Sequence, residues 1–186
     1  MARDIVRARG GARTERDVAE RVAAVLDTAL ARERDWLWPE HRAPGAFDYR
    51  QHVLHVAGDG SFSIVALVWE PGQRTCIHDH VCWCVVGVYQ GREVETSFDL
   101  HEDADGRFLV PSSSRVLEPG EVSVLVPPDE DIHQVACAGT GRAISIHVYG
   151  TDIAVRGTSI NHRFEDVPLR PHAAGAPRAS WRAVAR

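Results

Sequence analysis

The 186-residue chain contains no lysine; all 21 basic residues are arginine. Set against 26 acidic residues, they leave a formal net charge of −5. Nucleic-acid binding needs a clustered positive field, so no nucleic-acid partner is expected. Arg3, Arg7, Arg9, Arg13 and Arg16 do cluster, and they read as a solvated, partly disordered arm. Long apolar runs are also missing. No stretch nears the roughly 18 apolar residues of a membrane helix, and the charged start Met1–Arg7 lacks the apolar run of a signal peptide. The expectation is a cytoplasmic protein with no membrane partner. Cysteine is scarce: Cys76, Cys82, Cys84 and Cys137. In a cytoplasmic chain of this size a disulfide framework is not expected. The Cys82-Trp83-Cys84 spacing is too tight for a structural zinc knuckle. The plain reading is free thiols buried on strands.

Hydrophobic residues make up 44% of the chain, enough for one domain with a real core. Residues 15–33 read as one helix, because Val18, Val22, Val25, Leu26, Ala29 and Leu30 recur at helical spacing on one face. Thr14 or Asp17 can cap its start. From about residue 50 the period changes to two. Short apolar runs (Phe62–Trp69, Cys82–Tyr89, Val94–Leu100, Val122–Val126, Ala143–Tyr149) alternate with Gly- and Pro-rich turns. Many short strands at such spacing predict a β-sandwich or barrel. The expected organisation is an arm and helix over 1–40 packing on the barrel, a domain over 41–167, and a Pro/Ala/Arg-rich tail over 168–186.

The strongest local signal is Gly72-Gln73-Arg74-Thr75-Cys76-Ile77-His78-Asp79-His80. Histidines at i and i+2 share one face of a strand, so both rings can reach one ion. His133 follows a later strand and a Pro-rich turn. A His pair alone is weak evidence; Gly72 and Gly91 around the pair, with Gly120 and His133 downstream, resemble the two motifs of a cupin metal site. The Glu that usually follows the His pair is missing, and Cys84 and Val85 stand there. Three neutral imidazoles leave the full charge on a divalent ion, which favours an anionic ligand such as a thiolate. Ser145, His147 and Tyr149 alternate strictly, so they share one face of one strand. A hydrogen-bond chain through them can orient the phenol toward the metal.

These residues resemble the cysteine dioxygenase type I family of thiol dioxygenases within the cupins. The carriers are Gly60-Ser61-Phe62, Trp69-x-x-Gly72, His78-Asp79-His80, Gly91, His133 and Ser145-x-His147-x-Tyr149, over about residues 45–165. The resemblance implies a mainly β fold, a cupin double-stranded β-helix or jelly-roll barrel with an N-terminal helix. It implies Fe(II) held by His78, His80 and His133, and O2 added to a small thiol to give its sulfinic acid. It also implies a Ser145–His147–Tyr149 triad. Cys84 matches the position of a Cys–Tyr thioether crosslink when counted back from Gly91, and falls one residue early when counted from His80. The family's carboxylate-binding Arg aligns with Gln51 in Tyr49-Arg50-Gln51-His52. That replacement resembles the 3-mercaptopropionate branch, in which another Arg binds the carboxylate. Arg156, Arg163 and Arg74 are the candidates; Arg50 points the other way by strand alternation. The expected partners are a small thiol and O2, in a monomer or weak homodimer. Two rivals stand: a cupin oxygenase on a non-thiol substrate, and a non-catalytic metal-dependent ligand-binding cupin.

Overall fold

The computed structural model describes residues 1–32, 35–128 and 131–171. Among these residues ten strands form two five-stranded antiparallel sheets. The first contains β1 (Arg50–Val56), β2 (Ser63–Trp69), β4 (Cys84–Gln90), β7 (Val122–Leu125) and β9 (Ala143–Tyr149), in the order β1-β2-β9-β4-β7. The second contains β3 (His78–His80), β5 (Glu93–Asp103), β6 (Gly106–Leu117), β8 (His133–Cys137) and β10 (Ile160–Arg163), in the order β10-β3-β8-β5-β6. Neighbours in space are mostly distant in sequence, and this crossing between sheets makes the expected double-stranded β-helix.

The central strands of the first sheet, β2, β4 and β9, are buried on both faces. On β9, Ile144, Ile146 and Val148 join Ile64, Ala66 and Val68 of β2 in an outer apolar layer. That layer lies under α2 (Glu15–Arg32), which contributes Ala19, Val22, Ala23, Leu26 and Leu30. Val65, Leu67 and Trp69 of β2 point the opposite way, into the barrel, with Cys84, Val86, Leu125, Val135 and Tyr149. Strand residues buried on both faces lose the polar alternation of a half-exposed strand, which is why β2 and β9 read as near-continuous apolar runs.

Two glycines have positional reasons. At Gly87 a Cβ would lie 2.6 Å from Leu30 Cδ1 and 2.8 Å from Leu26 Cδ2, so its absence lets α2 settle on β4. Gly91 has φ +71, and a Cβ there would meet the Arg142 carbonyl oxygen at 2.3 Å. The motif glycine is thus demanded by both backbone and space.

Helix α2 starts as expected: the Asp17 N–H donates to Thr14 Oγ1 at 3.1 Å, and Asp17 Oδ2 accepts from the Arg13 N–H at 3.2 Å. Thr14 is the cap and Asp17 the residue that reaches back. The Arg-rich start departs from expectation. Instead of a disordered arm, Ala2–Arg9 forms a helix, α1. Its Ile5 is fully buried in the outer layer, and Arg9 donates to Ser61 and lies 5.8 Å over the Phe62 ring. Ile5, with Met1 and Ala2 beside it, anchors a segment whose Arg3, Asp4 and Arg7 face water. At the other end, Leu109 and Pro168 pair through backbone hydrogen bonds up to Arg170. The rest of the tail expected over 168–186 lies outside the described residues.

Candidate metal centre

Strand alternation places His78 and His80 on the inner face of β3, with Asp79 turned outward. Asp79 accepts from the His162 backbone N–H at 2.6 Å, which ties β10 to β3. His133 opens β8 as the direct partner of His78. The three rings gather with centroids 4.8, 4.8 and 5.0 Å apart. All are buried, at 5%, 3% and 2% exposure, and one nitrogen from each lies within 4.8 Å of the others.

The outer nitrogen of each ring is already engaged. His78 Nδ1 lies 3.0 Å from the Cys76 carbonyl oxygen. His80 Nδ1 lies 2.7 Å from Asp131 Oδ1, and His133 Nδ1 lies 3.0 Å from Glu95 Oε1. An acceptor at Nδ1 makes that nitrogen the protonated one and leaves the Nε2 lone pair free. Three lone pairs then converge from three buried rings. Burial, followed by the mutual repulsion of the other rings, drives the His78 pKa down to about 2. Burial also lowers that of His80, against the pull of Asp131. His78 and His80, held neutral at physiological pH, are ready to ligate, and with His133 beside them the donor set fits a divalent metal.

Asp131 and Glu95 are the functional residues that sequence reasoning missed. Asp131 also accepts from the His80 backbone N–H at 2.7 Å, fixing both ring and strand. Glu95 is buried and is shared among His133, Ser123 and Arg115, the last at 2.7 Å. Burial alone would raise its carboxyl, but the His133 hydrogen bond and the Arg115 guanidinium overcome this and hold it at about 2. One signal was available for Glu95: two residues from Glu93 on one strand, it belongs to a pair that must face inward or outward together. Nothing local marks Asp131, because its partner lies 51 residues away.

Ser145, His147 and Tyr149 are all buried on the inner face of β9. Ser145 Oγ lies 2.9 Å from His147 Nε2, and Tyr149 Oη lies 3.1 Å from His147 Nδ1. Trp69 Nε1 donates to Ser145 Oγ at 3.2 Å and closes the far end. The Tyr149 ring sits 6.5 Å from that of His80, so the chain runs from the barrel floor to the metal cluster. Burial pushes the phenol pKa well up and the His147 pKa down to about 3, so both stay neutral. Cys84 is the direct strand partner of Tyr149, and its Sγ lies 4.0 Å from His147 Nδ1. The thiol and phenol that a crosslink would join therefore flank the same ring.

The expected substrate-binding residues divide. Gln51 pairs with Leu67, an inward residue, and so faces the barrel side of edge strand β1. Tyr49 stacks on Trp69 with centroids 4.4 Å apart, and both Gln51 and Arg163 are close enough to lower its phenol pKa, which burial raises overall. Arg163 pairs with His78 across β10 and β3, and its guanidinium lies 3.6 Å from Cys76 Sγ. Gln51, Tyr49 and Arg163 thus meet at the rim beside the His cluster. Arg156 does not join them: it ends the short helix α3 (Ile153–Arg156), and its charge is felt at Cys82. Arg74 is exposed and bridges to Ala136, away from this group.

A family model for cysteine dioxygenase type I matches residues 13–154. The chain belongs to this family. It is 27% identical to cysteine dioxygenase type 1 of Rattus norvegicus over 134 residues, covering 70% of this chain and 64% of that protein. The figure for the Homo sapiens protein is 26%, with the same coverage. The aligned part is therefore under two thirds of the length of these curated relatives. Among solved structures, an uncharacterized conserved protein with a double-stranded beta-helix domain from Klebsiella pneumoniae aligns with a TM-score of 0.48 at 15% identity, covering 63% of this chain and 86% of that one. In this member of the family the three-His cluster and the Ser–His–Tyr strand lie in one barrel. No helix among the described residues is long and apolar enough to cross a membrane.

Proposed function

We propose that this protein is a non-haem Fe(II) thiol dioxygenase that oxidises a small thiol, 3-mercaptopropionate, L-cysteine or a relative, to its sulfinic acid. The balanced reaction is R–SH plus O2 giving R–SO2H. One observation carries the reading: an all-imidazole cluster, the metal-ligand group found among the described residues, sits within ring-contact distance of a buried phenol. Ferrous iron, when bound, would supply open coordination positions and the redox chemistry that lets O2 react with a thiolate.

The chain's own residues have separable tasks. His78, His80 and His133 would hold the ion through Nε2, with Cys76, Asp131 and Glu95 fixing the rings. Because all three ligands are neutral, the ion's charge is left for an anionic sulfur. Arg163 is the candidate for the substrate carboxylate, since it lies at the rim beside His78 while Arg156 does not. A planar guanidinium suits a carboxylate fork, and Gln51 can add an amide donor from β1. Tyr149, protonated at working pH, can donate a hydrogen bond into the site. Cys84 and Tyr149 are the pair that a thioether would join. The proposed setting is cytoplasmic.

The test is O2 uptake by iron-loaded protein with L-cysteine, 3-mercaptopropionate, cysteamine and a thiol-free control, with the product weighed by mass spectrometry. Uptake matched to sulfinate is expected, with cysteamine the poorest because it lacks a carboxylate. No uptake with any thiol, from protein verified to carry iron, would favour an oxygenase on a non-thiol substrate or a ligand-binding cupin.

A further inference from the structure

Glu93 has no role in the chemistry above, and its position calls for one. It opens β5 on the inner face, is fully buried, and neither carboxylate oxygen has a hydrogen-bond partner. Orphaned buried carboxylates are costly, so each asks for an explanation. Glu93 faces Ser145 and Trp69 across the barrel, near enough for both to lower its pKa, yet those two groups are already bonded to His147 and to Ser145. Its other titratable neighbours are Glu95 on β5 and Cys137 on β8, its direct strand partner. Neither is a cation. Burial first, then the Glu95 charge, lifts the Glu93 carboxyl to about 8. A group in this state changes charge near neutral pH at the far end of the Ser145–His147–Tyr149 chain.

We propose that Glu93 is a positioning residue whose protonation state sets the direction of that hydrogen-bond chain. Two arrangements match donors to acceptors along Ser145, His147 and Tyr149 and bring one oxygen of Glu93 into the chain. With Glu93 ionised, the Ser145 hydroxyl donates to the carboxylate. Ser145 Oγ then accepts from Trp69 Nε1–H and His147 Nε2–H, and His147 Nδ1 accepts from the Tyr149 hydroxyl. The phenol proton is turned into the chain. With one proton added to Glu93, its O–H donates to Ser145 Oγ, and Ser145 donates to His147 Nε2. His147 then carries its proton on Nδ1 and donates to Tyr149 Oη. The phenol proton is released from the chain, free to point toward the His cluster or Ser159. The arrangements differ by one proton, taken up at Glu93, and by the tautomer of a neutral His147. The value of a free phenol donor rests on the proposed function; the tautomer switch does not.

The experiment reads the switch directly. In metal-free protein with 15N-labelled histidine, long-range 1H–15N correlation distinguishes the two tautomers, and a His147→Gln variant assigns the signals. Wild type is expected to show the Nδ1–H form of His147 at pH 6 and the Nε2–H form at pH 9.5. Glu93→Gln, whose amide can only donate to or accept from Ser145 without titrating, is expected to hold one tautomer at both pH values. A wild type with a single tautomer across that range overturns the proposal even if the variant fails to fold. So does a switch that persists in Glu93→Gln, since another group would then drive it. In the iron-loaded enzyme, turnover should fall at least about tenfold as Glu93 ionises, and the Glu93→Gln profile should lack that limb. A switch without any thiol turnover would leave Glu93 in its role and overturn the proposed function alone.

Discussion

The two faces of β9 are equally buried and have nothing else in common. Ile144, Ile146 and Val148 lie at 1%, 0% and 0% exposure under α2; Ser145, His147 and Tyr149 lie at 0%, 4% and 4% inside the barrel. One face buries hydrocarbon against hydrocarbon, which needs no direction and tolerates exchange of similar shapes. The other buries polar atoms that must each find a partner at a set distance. A single strand therefore carries the stability of the helix–sheet layer on one side and the candidate chemistry on the other. The comparison teaches that burial alone does not separate structural from functional residues; what a side chain is bonded to does.

Substitutions on either face can break this division. The largest effect is expected from His133→Ala, which should lose nearly all bound iron and thiol oxidation while remaining folded, checked by metal analysis and O2 uptake. A variant that keeps full iron and turnover would remove His133 from the ligand set. On the opposite face, Ile146→Ala should destabilise the fold by about 2–5 kcal/mol in denaturant unfolding, with iron per folded molecule unchanged. Iron loss in parallel with the stability loss would show that the two faces are not independent.

Smaller effects sharpen the contrast within the barrel. Tyr149→Phe keeps the ring and removes one donor, so turnover should drop about 100-fold with iron still bound; an unchanged rate would take Tyr149 out of the mechanism. Asp131→Asn leaves the His80 ring without its carboxylate and should weaken metal affinity about 10–100-fold, measured by competition with a chelator.

The smallest expected effect is on stability against pH in the metal-free protein. His78 and His147 sit at about 2 and about 3 when folded, against 6.5 when free. The unfolded chain takes up protons that these rings refuse, so stability falls as pH drops below about 6.5. Glu93 has the opposite sign: about 8 when folded against 4.5 when free, it holds a proton that the unfolded chain releases. Its contribution is lost as pH rises through 8. Stability should therefore peak near pH 6.5, with limbs of roughly 1.4 kcal/mol per pH unit for each proton exchanged. Glu93→Gln should flatten the alkaline limb and steepen the acid limb between pH 4.5 and 6.5, where Glu93 opposes the two histidines. A melting temperature that climbs steadily to pH 9 would contradict the buried state of Glu93.

Much of the site is legible in the chain because its parts repeat at strand period. His78 and His80 share a face by being two residues apart, and Ser145, His147 and Tyr149 do so over five. Helix α2 is equally plain, since its apolar stripe and Thr14 cap are local. The helical α1 is not plain, because its buried anchor, Ile5, gains its worth from a layer assembled by β2, β9 and α2. Strands β3 and β10 are too short to carry a pattern, and β6, with its run of Ser112-Ser113-Ser114, shows no apolar period.

What the sequence determined by itself is therefore helix α2, the apolar strand runs, the metal-ligating residue types and the two polar alternations, all consequences of side-chain period and turn chemistry. Tertiary structure alone decided which acceptors lock the rings, which Arg reaches the rim, and that Glu93 ends against Ser145. These are contacts between residues far apart in sequence: His80 and Asp131 are 51 residues apart within one sheet region, and Glu93 faces Ser145 from the opposite sheet. No local period encodes them; only closure of the barrel puts a carboxylate from one sheet against a hydroxyl from the other.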